Sequence, residues 1–268
     1  MLRKFAIAAA AMFTLAAPAM AGTLDDVKKR EQLACGSNPG IPGFGMLDTT
    51  TNQWIGLDVE FCRAIAAAIF NDPGKVKFIP LTAQQRFAAL QSGEIDVLAR
   101  NGTWTMSREA DLGLLWAGTN YYDGQGFMVR KKLNVNSARE LNGASVCVQQ
   151  GTTTELNLAD YFRTLNMKYE GVVYATADEA IKAYDTGRCD SFTTDVSQLY
   201  AERLKLVNPD EHVVLADIIS KEPLGPAVRQ GDAQWFNLVK WTHFAMLNAE
   251  ELGVTKANVD EQIGRAHV

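Results

Sequence analysis

After the first two dozen residues, apolar runs short enough for strands alternate with stretches whose apolar positions recur at helical spacing. The pattern predicts a strand over 32–35, a helix over 59–70, a strand over 76–80, a helix over 86–92 and a strand over 96–100. A second series predicts strand 144–149, helix 155–165, strand 169–174, helix 177–185 and strand 189–193. Such alternation builds βαβ units on a largely parallel sheet, so two similar α/β halves are expected. Between them, Tyr122-Asp123-Gly124-Gln125-Gly126 and the extended Phe127-Met128-Val129 suit a crossing segment. No linker, short-period repeat or low-complexity tract interrupts the chain.

The first residues follow another logic. Leu2-Arg3-Lys4 is basic, residues 5–17 are apolar, and Ala19-Met20-Ala21 offers small residues for cleavage, the layout of a secretory signal peptide over 1–21. That apolar run is short for a bilayer span, and no later segment reaches about 18 uncharged apolar residues. Cys35 lies well past the cleavage site, so the cysteine of a lipid anchor is missing there. A periplasmic protein of a two-membrane bacterium is expected. Removing Arg3 and Lys4 from 26 basic residues leaves 24 against 31 acidic ones, a formal charge of −7, which argues against nucleic acid or anionic membranes as partners.

In an oxidising compartment, four cysteines favour disulfides, with three connectivities open. Cys35 with Cys62, and Cys147 with Cys189, would keep each bridge inside one half; two pairs of buried thiols are the alternative. No C-x-x-C or H-x-x-x-H pair is present, so neither a metal nor a cofactor is expected. At the other end, residues 263–268 (Ile-Gly-Arg-Ala-His-Val) back-translate as ATC GGA AGA GCA CAC GTC, which resembles a sequencing adapter read in frame, a native end being the alternative. The natural chain is expected to continue past about Asp260.

Open α/β sheets bind ligands at the carboxyl ends of their strands. Three such ends carry hydroxyls and a charge: Arg100 to Arg108, Gly151-Thr152-Thr153-Thr154-Glu155, and Thr193-Thr194-Asp195. With Gly56-Leu57-Asp58-Val59-Glu60-Phe61-Cys62-Arg63-Ala64 and Gly93-Glu94-Ile95-Asp96, the chain resembles bacterial solute-binding protein family 3, the amino-acid-binding proteins of ABC importers. The phrases Gly151 to Tyr161 and Lys221-Glu222-Pro223-Leu224-Gly225-Pro226 resemble its general L-amino-acid branch, and the similarity runs from Leu33 to about Asp260. The resemblance implies the two-lobed, type II periplasmic-binding-protein fold, each lobe a mostly parallel sheet flanked by helices. Lobe 1 is then expected over 22–126 with 224–262, and lobe 2 over 127–223.

The resemblance also implies a monomer that hands free L-amino acids to a membrane permease. In it, Arg108 binds the ligand carboxylate, Asn101 and Thr103 complete that lobe's contacts, Thr153 meets the same carboxylate and Asp195 receives the α-ammonium. Asn38 and Ile41 replace the acidic and aromatic residues that relatives set against a basic side chain, implying broad tolerance of side chains. Trp104 is a candidate wall of that pocket. Simpler roles stand beside these: Thr152 with Glu155 fits a capping box, Asp195 could cap the helix that follows, and Asn101-Gly102-Thr103 is a formal glycosylation sequon. The fold also carries periplasmic dehydratases, lyases and sensory domains, and these are the rival functions. Glu155 and Asp195 are the acids near the cleft, and neither His212 nor His243 falls in a cleft motif, so no catalytic residue is expected.

Overall fold

The computed structural model describes residues 22–262; the expected signal peptide and the expected foreign tail lie outside the described residues. The chain begins with α1 (Thr23–Arg30), β1 (Leu33–Ser37) and a small hairpin sheet, β2 (Gly40–Ile41), β3 (Gly45–Asp48) and β4 (Gln53–Ile55). It continues through α2 (Leu57–Phe70), β5 (Val76–Pro80), α3 (Arg86–Ser92), β6 (Val97–Leu98), α4 (Met106–Ala110) and β7 (Leu114–Trp116). After β8 (Tyr121–Asp123) the second half comprises β9 (Gln125–Arg130), β10 (Ser145–Gln149), α5 (Thr153–Thr164), β11 (Glu170–Tyr174), α6 (Ala177–Asp185), β12 (Ser191–Asp195), α7 (Val196–Arg203) and β13 (His212–Val214). The chain then returns through β14 (Glu222–Leu224) to β15 (Ala227–Arg229), α8 (Ala233–Glu251) and α9 (Val259–Gln262).

Each half forms a five-stranded sheet, ordered β5-β1-β6-β15-β7 in the first and β11-β10-β12-β9-β13 in the second. The leading three strands of each are parallel. The fourth, β15 or β9, runs antiparallel to both its neighbours, and each is the strand reached just after the chain crosses between halves. The crossings lie side by side: β8 and β14 pair antiparallel, Tyr122 opposite Pro223. This is the mostly parallel two-lobed architecture expected, with one antiparallel strand per sheet that apolar runs alone do not announce.

Burial on both faces explains why these strands read as continuous apolar runs. On β9, Phe127 and Val129 join Val146, Val148, Leu158 and Phe162 on one face, while Met128 faces Tyr184 and Phe192 on the other. In the first lobe, Leu33 and Cys35 pack with Phe61 and Ile65 of α2 and with Trp235 and Val239 of α8. Asp232 fixes this return helix by accepting from Trp235 N–H (2.9 Å) and from Thr23 N–H (2.7 Å), tying the first helix to α8. Disulfides Cys35–Cys62 and Cys147–Cys189 each join a strand to a neighbouring segment of its own lobe.

Candidate ligand-binding site

The site begins with how α2 starts. Gly56 has φ 125°, and a Cβ there would stand 2.3 Å from the Phe44 carbonyl oxygen, so glycine is required to admit the chain to the helix. Two residues on, the buried carboxylate of Asp58 accepts from Asn101 N–H (2.7 Å) and Asn120 Nδ2 (3.3 Å). Burial pushes its pKa up to about 6, against the opposing pull of those hydrogen bonds and of Arg100. Asp58 thus pins the turn after β6, where Asn101 takes the left-handed conformation (φ 35°) and leaves a buried side-chain oxygen without a partner.

From that turn the chain runs against β14. Thr103 bridges to Leu224, Trp104 N–H donates to Pro223 O (2.8 Å), and Thr105 caps α4 by accepting from Arg108 N–H (3.3 Å). Three buried arginines gather behind this segment. Arg108 donates from Nη1 to Thr103 O (2.8 Å) and lies 5.0 Å over the Phe87 ring; Arg86 lies 4.7 Å from the same ring, its Nε without a partner. Arg100 donates from Nε to Leu81 O (2.7 Å). Burial lowers the pKa of all three, that of Arg100 to about 10.

The second lobe contributes two loop ends. Thr152 caps α5 by accepting from Glu155 N–H (3.1 Å), while the Glu155 carboxylate turns to Gly151 N–H (2.8 Å) rather than to the cap's own amide, so the capping box is only half formed. Thr153 opens the helix, where unpaired N–H groups favour an anion. Asp195 ends β12 at the cap position of α7 but makes no capping hydrogen bond; one oxygen has no partner at all. Burial first, then the carboxylates of Glu222 and Asp123, hold its pKa well above the usual carboxylate range, against Arg86 and Arg108. A cap role therefore does not account for this side chain.

These residues line a small cavity between the lobes, walled by Arg86, Arg100, Asn101, Thr103, Thr153 and Asp195 among others. It adjoins a larger space that shares Arg100 and Gln149 and reaches Asn38 and Ile41. Two expected residues stand elsewhere. Arg108 lies behind Thr103 and not in the wall, and Trp104 is 38% exposed, its indole N–H directed to Glu109. His212 and His243 line neither space; His212 Nδ1 pairs with the Tyr184 hydroxyl (2.7 Å) inside lobe 2.

Comparison with known proteins decides the family: the profile of the bacterial extracellular solute-binding proteins, family 3, matches residues 33–254. The chain belongs to this family. Among relatives, the general L-amino acid-binding periplasmic protein of Rhizobium johnstonii is 60% identical over 96% of this chain and 75% of its own. The glutamate/glutamine/aspartate/asparagine-binding protein of Rhodobacter capsulatus is 54% identical over 92% of this chain and 73% of its own. A periplasmic binding protein of an ABC transporter from Brucella ovis, solved with glutathione bound, has TM-score 0.88 and 59% identity over 91% of this chain and 76% of its own.

Within this family 3 chain, sequence reasoning missed Arg86 and Glu222. Arg86 opens the apolar segment Arg86-Phe87-Ala88-Ala89-Leu90, and a charge on the buried side of so short a helix was the available signal. Glu222 is 2% exposed and ties the lobes together: one oxygen accepts from Thr103 (2.6 Å) and Thr153 (2.9 Å), the other from Asn157 (2.7 Å) and Ser220 (2.6 Å). The phrase Lys221 to Pro226 marks the family branch but not this role of Glu222, because its donors lie up to 119 positions away. At the cleft's edge, Lys205 of the second lobe donates to Gly40 O (2.6 Å) of the first.

Proposed function

We propose that this protein captures free L-amino acids in the periplasm and delivers them, as a monomer and without chemical change, to the permease of an ABC importer. The observation that carries the reading is Asp195. A buried carboxylate with a bare oxygen, facing guanidinium groups across an interlobe cavity, matches an ammonium on one side and a carboxylate on the other. The α-ammonium takes the free Asp195 oxygen. The α-carboxylate meets Thr153 at the start of α5 and the arginine cluster, with Arg86 at the wall and Arg108 steadying Thr103 from behind; the spare Asn101 Oδ1 accepts from the α-ammonium. Side chains extend past Ile41 into the larger space, whose mixed polar and apolar lining suits several of them. Lobe 2 closes over ligand already held by lobe 1, and closure is favoured by the contacts that lobe 2 adds.

A carrier role without catalysis agrees with the site: Glu155 is spent on Gly151 N–H, and His212 and His243 lie away from the cavity. Thermal shift against the natural L-amino acids tests the reading. Stabilisation by several is expected, on the order of 2.7 kcal/mol at a hundred times Kd. Stabilisation by none overturns amino-acid binding, and stabilisation by one alone overturns breadth.

A further inference from the structure

Two glycines stand where the lobes meet at the cleft's edge. A Cβ on Gly40 of the first lobe would lie 3.2 Å from Asp178 Oδ2 of the second, and one on Gly151 of the second would lie 2.9 Å from Gln84 Cγ of the first. Larger residues at either position would hold the lobes apart. Lys205 spans the first of these contacts: its Nζ donates to Gly40 O (2.6 Å) across the cleft and to Asp178 Oδ1 (3.0 Å) within its own lobe. Gly40 and Asp178 both line the larger space beyond the head-group cavity, whereas Lys205 lines neither space.

Lys205 is held in that position from behind. Glu202, fully buried, places Oε2 2.9 Å from Nζ as an ion pair without hydrogen-bond alignment, and its Oε1 accepts from Gln198 Nε2 (3.4 Å). Gln198 in turn accepts from Thr194 Oγ1 (3.0 Å). Thr194 and Gln198 wall the head-group cavity beside Asp195, so a polar chain runs along α7 from that cavity to the rim. Burial opposes the charge on Lys205, but Glu202 and Asp178 outweigh it and raise its pKa, so the ammonium stays protonated. Glu202 lines neither space and is out of a ligand's reach. A carboxylate buried in this way is costly unless a cation compensates it, and the cation here is one that reaches into the other lobe.

We infer that Lys205, positioned by Glu202, is a latch across the rim of the cleft that slows the release of every bound ligand alike. This rests on the capture-and-closure reading above and deepens it: the head-group cavity decides what binds, and a contact that touches no ligand sets how long it stays. The charge-assisted bond to Gly40 O exists only while the lobes are together, so its loss speeds opening and leaves encounter with the open cleft unchanged. Lys205 is thus a positioning residue for the closed state, and its effect is the same factor for ligands of different side chain.

Stopped-flow kinetics of the purified chain with L-glutamine and with L-alanine test this. Lys205→Met should raise koff about tenfold for both ligands, with kon within about twofold of wild type and the ratio of the two affinities unmoved. Gly40→Val wedges the same contact apart with the lysine intact; it should also raise koff, and combining it with Lys205→Met should add nothing further, as for two changes that break one contact. Should Lys205→Met not fold with Glu202 left bare, the double variant Lys205→Met, Glu202→Gln carries the same expectation without the buried charge. An unchanged koff, a loss confined to one ligand, or additive effects in the combined variant overturns the latch and leaves amino-acid capture standing; binding of neither ligand by wild-type protein sinks both.

Discussion

The hydroxyls of Thr103 and Thr153, from opposite lobes, stand 3.3 Å apart and both donate to one carboxylate oxygen of Glu222. Glu222 sits on β14, the returning crossing strand, so the crossing itself supplies the acceptor shared by these two candidate ligand contacts. The contact between these two loops thus rests on a buried carboxylate that belongs to neither of them.

Removing that acceptor should loosen the closed form. Glu222→Ala leaves four donors without their acceptor, and a loss of about 2 to 4 kcal/mol is expected in urea denaturation. Small-angle scattering of the variant should show a larger radius of gyration than wild type; matching radii would mean that Glu222 does not govern closure.

Asp195 gives two readouts. Asp195→Ala should weaken amino-acid binding by roughly 30-fold to several thousand-fold, the range for losing one partner of a buried charge pair. Because the carboxyl of the ligand-free protein titrates well above its usual range, an arriving ammonium should ionise it and expel a proton. Binding enthalpies measured at mildly acidic pH in buffers of different ionisation enthalpy should differ accordingly; identical values would show that no proton leaves.

For Asp58 the pH sign is opposite to that of a surface salt bridge. Its pKa rises from 3.8 to about 6 on folding, so its contribution to stability is complete below the lower value and is lost as pH climbs through the higher. Relative to Asp58→Asn, the wild type should lose roughly 3 kcal/mol across that window. Parallel stability curves for the two proteins would refute the assignment.

The disulfides close loops of 27 and 42 residues, for which chain entropy sets ceilings of about 3.5 and about 4 kcal/mol. Cys35→Ser with Cys62→Ser, and separately Cys147→Ser with Cys189→Ser, should each lower the midpoint of chemical unfolding. Reductant should do the same to wild type and leave a variant lacking all four cysteines unmoved.

The amino-acid sequence by itself determined the alternation of strands and helices, hence two α/β lobes, because burial on both faces of a parallel strand leaves an apolar run that is visible locally. It placed Cys35, Cys62, Cys147 and Cys189 within separate lobes, and it marked the loop ends holding Asn101, Thr103, Thr153 and Asp195, since hydroxyls and single charges just after strands are a local signal. Tertiary structure alone decided which charges meet. Arg86 and Arg100 reach the cavity wall while Arg108 stands behind it, Trp104 turns outward, and Glu222 bridges the lobes. Each of these depends on partners distant in sequence brought together by the double crossing at β8 and β14, and Coulomb and hydrogen-bond energies follow separation in space, which periodicity along a chain does not encode.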